Sequence, residues 1–219
     1  MRSRRTFFQL VAFMALCVAS LVPAKANDGI KLVAFGDSLT AGYLLAPEDA
    51  FPVQLQSALT DRGYDVTVVN AGVSGDTTSG GLSRLDWSVG DDVDGVILEL
   101  GANDALRGLD PATTRANIDE MVRRLTERGI NVLVAGMLAP RNLGEEYAAA
   151  FDPIFEETAE KYDALYYPFF LEGVAANPML NLADGMHPTG EGVGVIVENI
   201  LPQVEKLIDQ IKAERSTAD

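Results

Sequence analysis

Five short apolar runs, each closed by turn-forming residues and separated by longer stretches of helical period, constrain this chain more than any other feature. The runs cover residues 31–35, 66–69, 93–100, 130–135 and 164–167. Runs of this length, rich in Val, Ile and Leu, read as buried strands. Between them lie helix candidates. Asp110-Pro111 offers a cap and a first-turn proline, after which Ile118, Met121, Val122 and Leu125 form one apolar face. Residues 51–62 and 145–162 read as helices too, with Pro153 expected to kink or restart the second. Near the carboxyl end Val197, Ile200, Leu201, Val204, Leu207, Ile208 and Ile211 recur at helical spacing, and Pro202 is expected to bend or split that helix. Alternating strand and helix implies a mainly parallel sheet covered on both faces. Right-handed crossovers close it as a three-layer α/β/α sandwich. The pattern itself does not give the strand order.

The first 26 residues have a different character. Arg2, Arg4 and Arg5 precede an apolar stretch over residues 7–22, and Ala24-Lys25-Ala26 places small residues where signal peptidase cuts. Residues 1–26 are therefore expected to be a signal peptide, with Asn27 starting a single mature domain over 27–219. Cys17, the only cysteine, follows Leu16 and does not make a lipoprotein site. Ser3-Arg4-Arg5-Thr6-Phe7 also resembles a twin-arginine signal, so both the Sec and the twin-arginine routes stay open. Either places the mature protein in the periplasm or outside the cell, with no stable membrane anchor after cleavage.

Removing that segment removes four basic residues and no acidic ones. It leaves 13 basic against 32 acidic groups, a net charge of −19. Such a surface repels phosphate backbones, which disfavours a nucleic-acid partner. With no cysteine and one histidine the mature chain lacks ligands for a zinc or iron–sulfur site, although carboxylates alone leave a calcium site open. No cofactor is implied.

The polar, glycine-rich stretches fall just past the strand ends. Gly36-Asp37-Ser38-Leu39 follows the first run. Asn70-Ala71-Gly72-Val73-Ser74-Gly75-Asp76 follows the second, and Gly101-Ala102-Asn103-Asp104 the third. Asp184-Gly185-Met186-His187-Pro188 comes after the fifth and opens the last helix. In open parallel sheets ligands bind beyond the carboxyl ends of the strands, so these four stretches converge on one crevice. A serine hydroxyl needs a neighbouring base to become a nucleophile, and His187 is the only imidazole available. Asp184, three residues earlier, is within reach of its Nδ1 through a turn, which would leave Nε2 facing Ser38. Acyl transfer also needs donors aimed at the developing oxyanion. The Ser38 amide, a glycine amide from residues 72–75 and the Asn103 side chain can supply three.

These four blocks, in this order, resemble the motif blocks of the SGNH (GDSL-type) hydrolases, and the resemblance covers essentially the whole mature chain. Ala41-Gly42-Tyr43, Val69-Asn70-Ala71 and Glu99-Leu100-Gly101 look most like the bacterial thioesterase I, lysophospholipase and arylesterase branch. The resemblance implies a flavodoxin-like sandwich with a five-stranded sheet. It also implies Ser38 as nucleophile, His187 as base and Asp184 as its orienter, with Ser38, Gly75 and Asn103 lining the oxyanion hole and Gly72 the alternative to Gly75. Its substrates would be small esters, thioesters or lysolipids.

Residues 137–147 depart from the family pattern, so acyl-chain preference does not carry over. Gly36-Asp37-Ser38-Leu39-Thr40 lacks the second glycine of a nucleophile elbow, and Asp184 and His187 lie too close in sequence for the α/β-hydrolase arrangement. Two other readings stand beside the esterase. One is a carbohydrate O-acetylesterase, although Trp87 is the only tryptophan for a sugar platform. The other is an exported binding protein with a vestigial triad. Oligomeric state is not legible.

Overall fold

The computed structural model describes residues 29–218. The expected signal peptide and the start at Asn27 lie outside them. Five strands form one sheet: β1 (Ile30–Gly36), β2 (Val66–Gly72), β3 (Gly95–Glu99), β4 (Asn131–Ala135) and β5 (Leu165–Tyr167). Their order is β2-β1-β3-β4-β5, and all four pairings are parallel. This is the flavodoxin-like order, in which the first crossover runs one way along the sheet and the rest run the other.

Eight α-helices complete the described residues: α1 (Ser38–Ala41), α2 (Phe51–Asp61), α3 (Thr78–Ser88), α4 (Ala102–Leu106), α5 (Pro111–Glu127), α6 (Glu145–Phe151), α7 (Ile154–Lys161) and α8 (Gly190–Ala218). With the usual right-handed crossovers, the reversal of direction puts α2 on one face and α3, α5 and α7 on the other. The packing agrees. α2 lies against α8, whereas α5 lies against α3, α6 and α7. The three-layer sandwich expected from the alternation is therefore present.

The core runs through both interlayer spaces. Leu32, Phe35, Val96, Leu98, Leu133 and Val134 of the sheet are buried with Leu55 and Leu59 of α2, Ile118, Met121 and Leu125 of α5, and Ile200, Val204, Leu207 and Ile208 of α8. The apolar face expected after Asp110-Pro111 is the buried face of α5, whose cap is an Asp110 side chain accepting the Ala112 N–H.

Three expectations need correction. Asn70, Ala71 and Gly72 belong to β2 rather than to the loop beyond it, since β2 pairs with β1 through Gly36 and Gly72. The run at 93–100 starts its strand only at Gly95, because Asp94 turns its carboxylate to the Lys31 N–H at 2.7 Å. Pro202 does not split the last helix. A proline removes the bond to the carbonyl four residues back, here that of Glu198, and both residues face solvent, where water can take its place. Pro153, in contrast, does restart its helix, separating α6 from α7.

Candidate active site

β1 and β3 are neighbours, and they are the two strands between which the chain reverses its direction along the sheet. A crevice opens outside their carboxyl ends at such a point. Ser38 is the first residue of α1, two positions beyond β1, and Asn103 lies in the first turn of α4, just beyond β3. The topology alone thus brings these two residues to one place. The loop ahead of α8 brings the others.

There His187 Nε2 lies 3.0 Å from Ser38 Oγ, and His187 Nδ1 lies 2.7 Å from Asp184 Oδ2. The second Asp184 oxygen accepts the backbone N–H groups of Met186, at 2.9 Å, and His187, at 3.0 Å. Those two amides, with the imidazole after them, hold the Asp184 carboxyl down to about 2. Asp184 is therefore charged throughout the range in which a histidine changes state. The ring of Tyr43 packs on the imidazole with 4.5 Å between centroids. The three residues expected to act together form one hydrogen-bonded chain.

The two glycines offered as donors now separate. Gly72 sits in β2 and gives its N–H to Asn70 Oδ1 at 2.9 Å. Gly75 occupies the tight turn after β2 with φ at +83°, a conformation glycine adopts without strain. Its carbonyl accepts Arg107 Nη2 at 2.8 Å, and among the described residues its N–H has no acceptor. Gly75 is thus the glycine with an amide available to a ligand. Asn103 gives one N–H of its side chain to Asp37 Oδ2 at 2.9 Å.

Three supporting residues were given no role of their own by the sequence. Arg84 reaches from α3 beneath the turn. Its Nε bonds Asp76 at 2.6 Å, and Nη1 and Nη2 bond the carbonyls of Ala71 and Gly36 at 2.9 Å each. The guanidinium also lies over the Phe35 ring. Asp37 is fully buried, and its Oδ1 caps α1 by accepting the Leu39 N–H. Glu99, the last residue of β3, is fully buried behind it. A carboxylate closing an otherwise apolar strand was the available signal for Glu99. Arg84 gave none, because a single arginine in a helix is ordinary.

A cleft of about 500 Å³ runs past Ser38, Asn103 and His187. Its remaining wall is largely apolar, with Leu39, Leu106, Met137, Leu138, Phe169, Leu171 and Met186. Residues 34–195, which hold all four loops, match the model of the GDSL-like lipase/acylhydrolase family. The chain belongs to that family. An arylesterase of Vibrio mimicus is 36% identical over 90% of this chain and 99% of its own. Thioesterase 1/protease 1/lysophospholipase L1 of Escherichia coli is 32% identical over 86% of this chain and 90% of its own. Among solved structures, AlinE4, an SGNH-hydrolase family esterase, superimposes with a TM-score of 0.69 at 45% identity, covering 81% of this chain and 96% of that one. The motif blocks of the GDSL family thus fall at the strand ends and the first turns of short helices that meet at the cleft.

Proposed function

We propose that this ester-hydrolysing enzyme of the GDSL family cleaves carboxylic esters and thioesters through an acyl-serine intermediate. The observation that carries the reading is the unbroken chain from Ser38 Oγ through His187 to Asp184 at the floor of an apolar cleft. Ser38 Oγ attacks the acyl carbon while its proton passes to His187 Nε2. The imidazolium so formed is stabilised by Asp184, and it then protonates the departing alcohol or thiol. Water repeats the sequence, losing a proton to His187 as it attacks, and the acid leaves when Ser38 regains its own. The oxyanion of both steps is held by the Ser38 and Gly75 amides and the Asn103 side chain. The apolar wall suits the acyl or aryl part of a small ester, a thioester or a lysolipid. Protein groups alone serve this scheme, and we place the mature enzyme, 27–219, outside the cytoplasm.

The sugar-ester reading gains nothing from the site. Trp87 lies on α3, 78% exposed, and is not part of the cleft wall.

A fluorophosphonate, whose phosphorus reacts with an activated serine, tests the proposal directly. It should label the protein once, at Ser38. Ser38→Ala should abolish labelling and lower kcat on a p-nitrophenyl ester by roughly 10⁶ while leaving the fold intact. Labelling at another serine, or an active alanine variant, would refute it.

A further inference from the structure

Two carboxyl groups share one buried space beneath the nucleophile. Asp37 and Glu99 are both completely buried, and Gly36 between them leaves the room. A Cβ on Gly36 would stand 2.1 Å from Thr40 Oγ1 and 2.5 Å from Glu99 Oε2. Glu99 Oε2 accepts the Thr40 hydroxyl at 2.8 Å and the Asp37 N–H at 3.3 Å. No N–H or O–H donor reaches its other oxygen, Oε1. The Asp37 carboxylate, in turn, holds the Leu39 N–H and the Asn103 amide. Two ionised carboxylates here would leave like charges side by side and one oxygen without a donor. One proton between them removes both faults, because a protonated carboxyl donates where a carboxylate only accepts.

We propose that Glu99 is a positioning residue that carries this proton and donates it to Asp37, so fixing the Asp37 carboxylate that aims the Asn103 amide. The two residues adjoin, the Asp37 N–H lying 3.3 Å from Glu99 Oε2, and Glu99 Oε1 is buried beside them with no donor. Burial first, then the Asp37 charge, pushes Glu99 well above the usual carboxylate range, while burial pushes Asp37 only up to about 6. Geometry points the same way: both Asp37 oxygens already accept N–H groups, whereas Glu99 Oε1 has no donor, so the proton belongs on Glu99. The other groups facing the pair fit that placement. α1 offers the Leu39 N–H and the Thr40 hydroxyl, and α4 the Asn103 amide, none of them titratable. The guanidinium of Arg84 from α3 is committed to Asp76 and two carbonyls. His187 acts on Asp37 through its charge when protonated. The pair then holds a single negative charge below the site. That charge favours the imidazolium of the transition state, and a second would oppose the oxyanion growing beside Asn103.

The inference rests on the proposed role of Asn103, and the experiment separates the two. Glu99→Gln keeps an N–H donor for Asp37 and an acceptor for Thr40, whereas Glu99→Leu keeps neither. With p-nitrophenyl butyrate, Glu99→Gln should lose less than about tenfold in kcat and Glu99→Leu roughly 10² or more, each with KM within about twofold. Equal losses would overturn the proposal. Carbon-13 NMR of the side-chain carboxyls in the wild-type protein gives a readout independent of turnover and of how the variants fold. The Glu99 carboxyl should keep its protonated shift at pH 7 while Asp37 shows the ionised one. An ionised Glu99 at pH 7 would overturn the proposal. A wild-type protein that hydrolyses no ester would refute the proposed function, yet leave the location of the proton to be read from the same spectra.

Discussion

The Asn103 side chain has two N–H groups, and Asp37 takes one of them. The other has no acceptor among the described residues, and Asn103 lines the cleft. Asn103→Ala should therefore lower kcat by roughly 10²–10³ and barely change KM, the usual cost of one lost oxyanion donor. A change confined to KM would make Asn103 a substrate-binding residue instead. Protonation makes a second test. Asp184, held at about 2, adds nothing to an acid limb above pH 4. Its lowered value contributes stability that is complete above the unfolded value near 3.9 and is lost only as pH falls through about 2. Asp37 behaves in the opposite sense. Raised to about 6, it favours folding below its unfolded value and loses that contribution as pH climbs through 6. Two groups must then shed protons before turnover, the imidazole and Asp37. On the acid side, log kcat/KM should rise with a slope above one, and Asp37→Asn should return the slope to one at a lower rate. A wild-type limb of slope one would remove Asp37 from the reaction.

Elements meet closely where β1, β2 and α1 converge. A Cβ on Gly72 would stand 2.3 Å from the Ala41 nitrogen and 2.9 Å from the Asp37 carbonyl oxygen, both backbone atoms that cannot swing aside. Gly72→Ala should therefore cost about 1–3 kcal/mol in a denaturant titration. Gly194, inside α8, has its nearest neighbour, the Gln54 side-chain oxygen, at 3.4 Å. Gly194→Ala should stabilise by about 0.5–1 kcal/mol. Opposite signs at two glycines would show that close approach, not flexibility, selects Gly72. The same junction explains what the sequence could and could not reveal. β1, β3 and β4 are apolar but for Lys31, Glu99 and Asn131 because both faces are covered, so their runs stood out. β2 lies at the sheet edge, half-buried along most of its length, and its polar end at Asn70 looked like a loop. Three helices, α1, α3 and α4, went unread. The first and last are one turn or little more, and α3, with two glycines and three serines, shows little helical pattern. Ser38, Asp184 and His187 were legible because chemistry allows few residue types at those places. Asp37, Glu99 and Arg84 pack behind them, and any sequence could hold such residues for other reasons.

At the scale of the whole molecule, the described residues contain no helix long and apolar enough to cross a membrane. Whether the protein is exported rests on residues 1–26, and amino-terminal sequencing of the enzyme recovered outside the cytoplasm should begin at Asn27. Replacing Arg4 and Arg5 by lysine should stop twin-arginine export and leave Sec export intact. Recovery of a membrane-bound protein that begins at Met1 would refute cleavage. One further feature bears on how the enzyme can be handled. α8 starts three residues after His187 and continues for 29 residues, roughly 40 Å of helix at 1.5 Å per residue. Its far end is thus a natural tether. A bead, a surface or a fused partner attached behind residue 219 would leave the mouth of the cleft turned toward the solution, whereas attachment at the cleft's own loops would bury it.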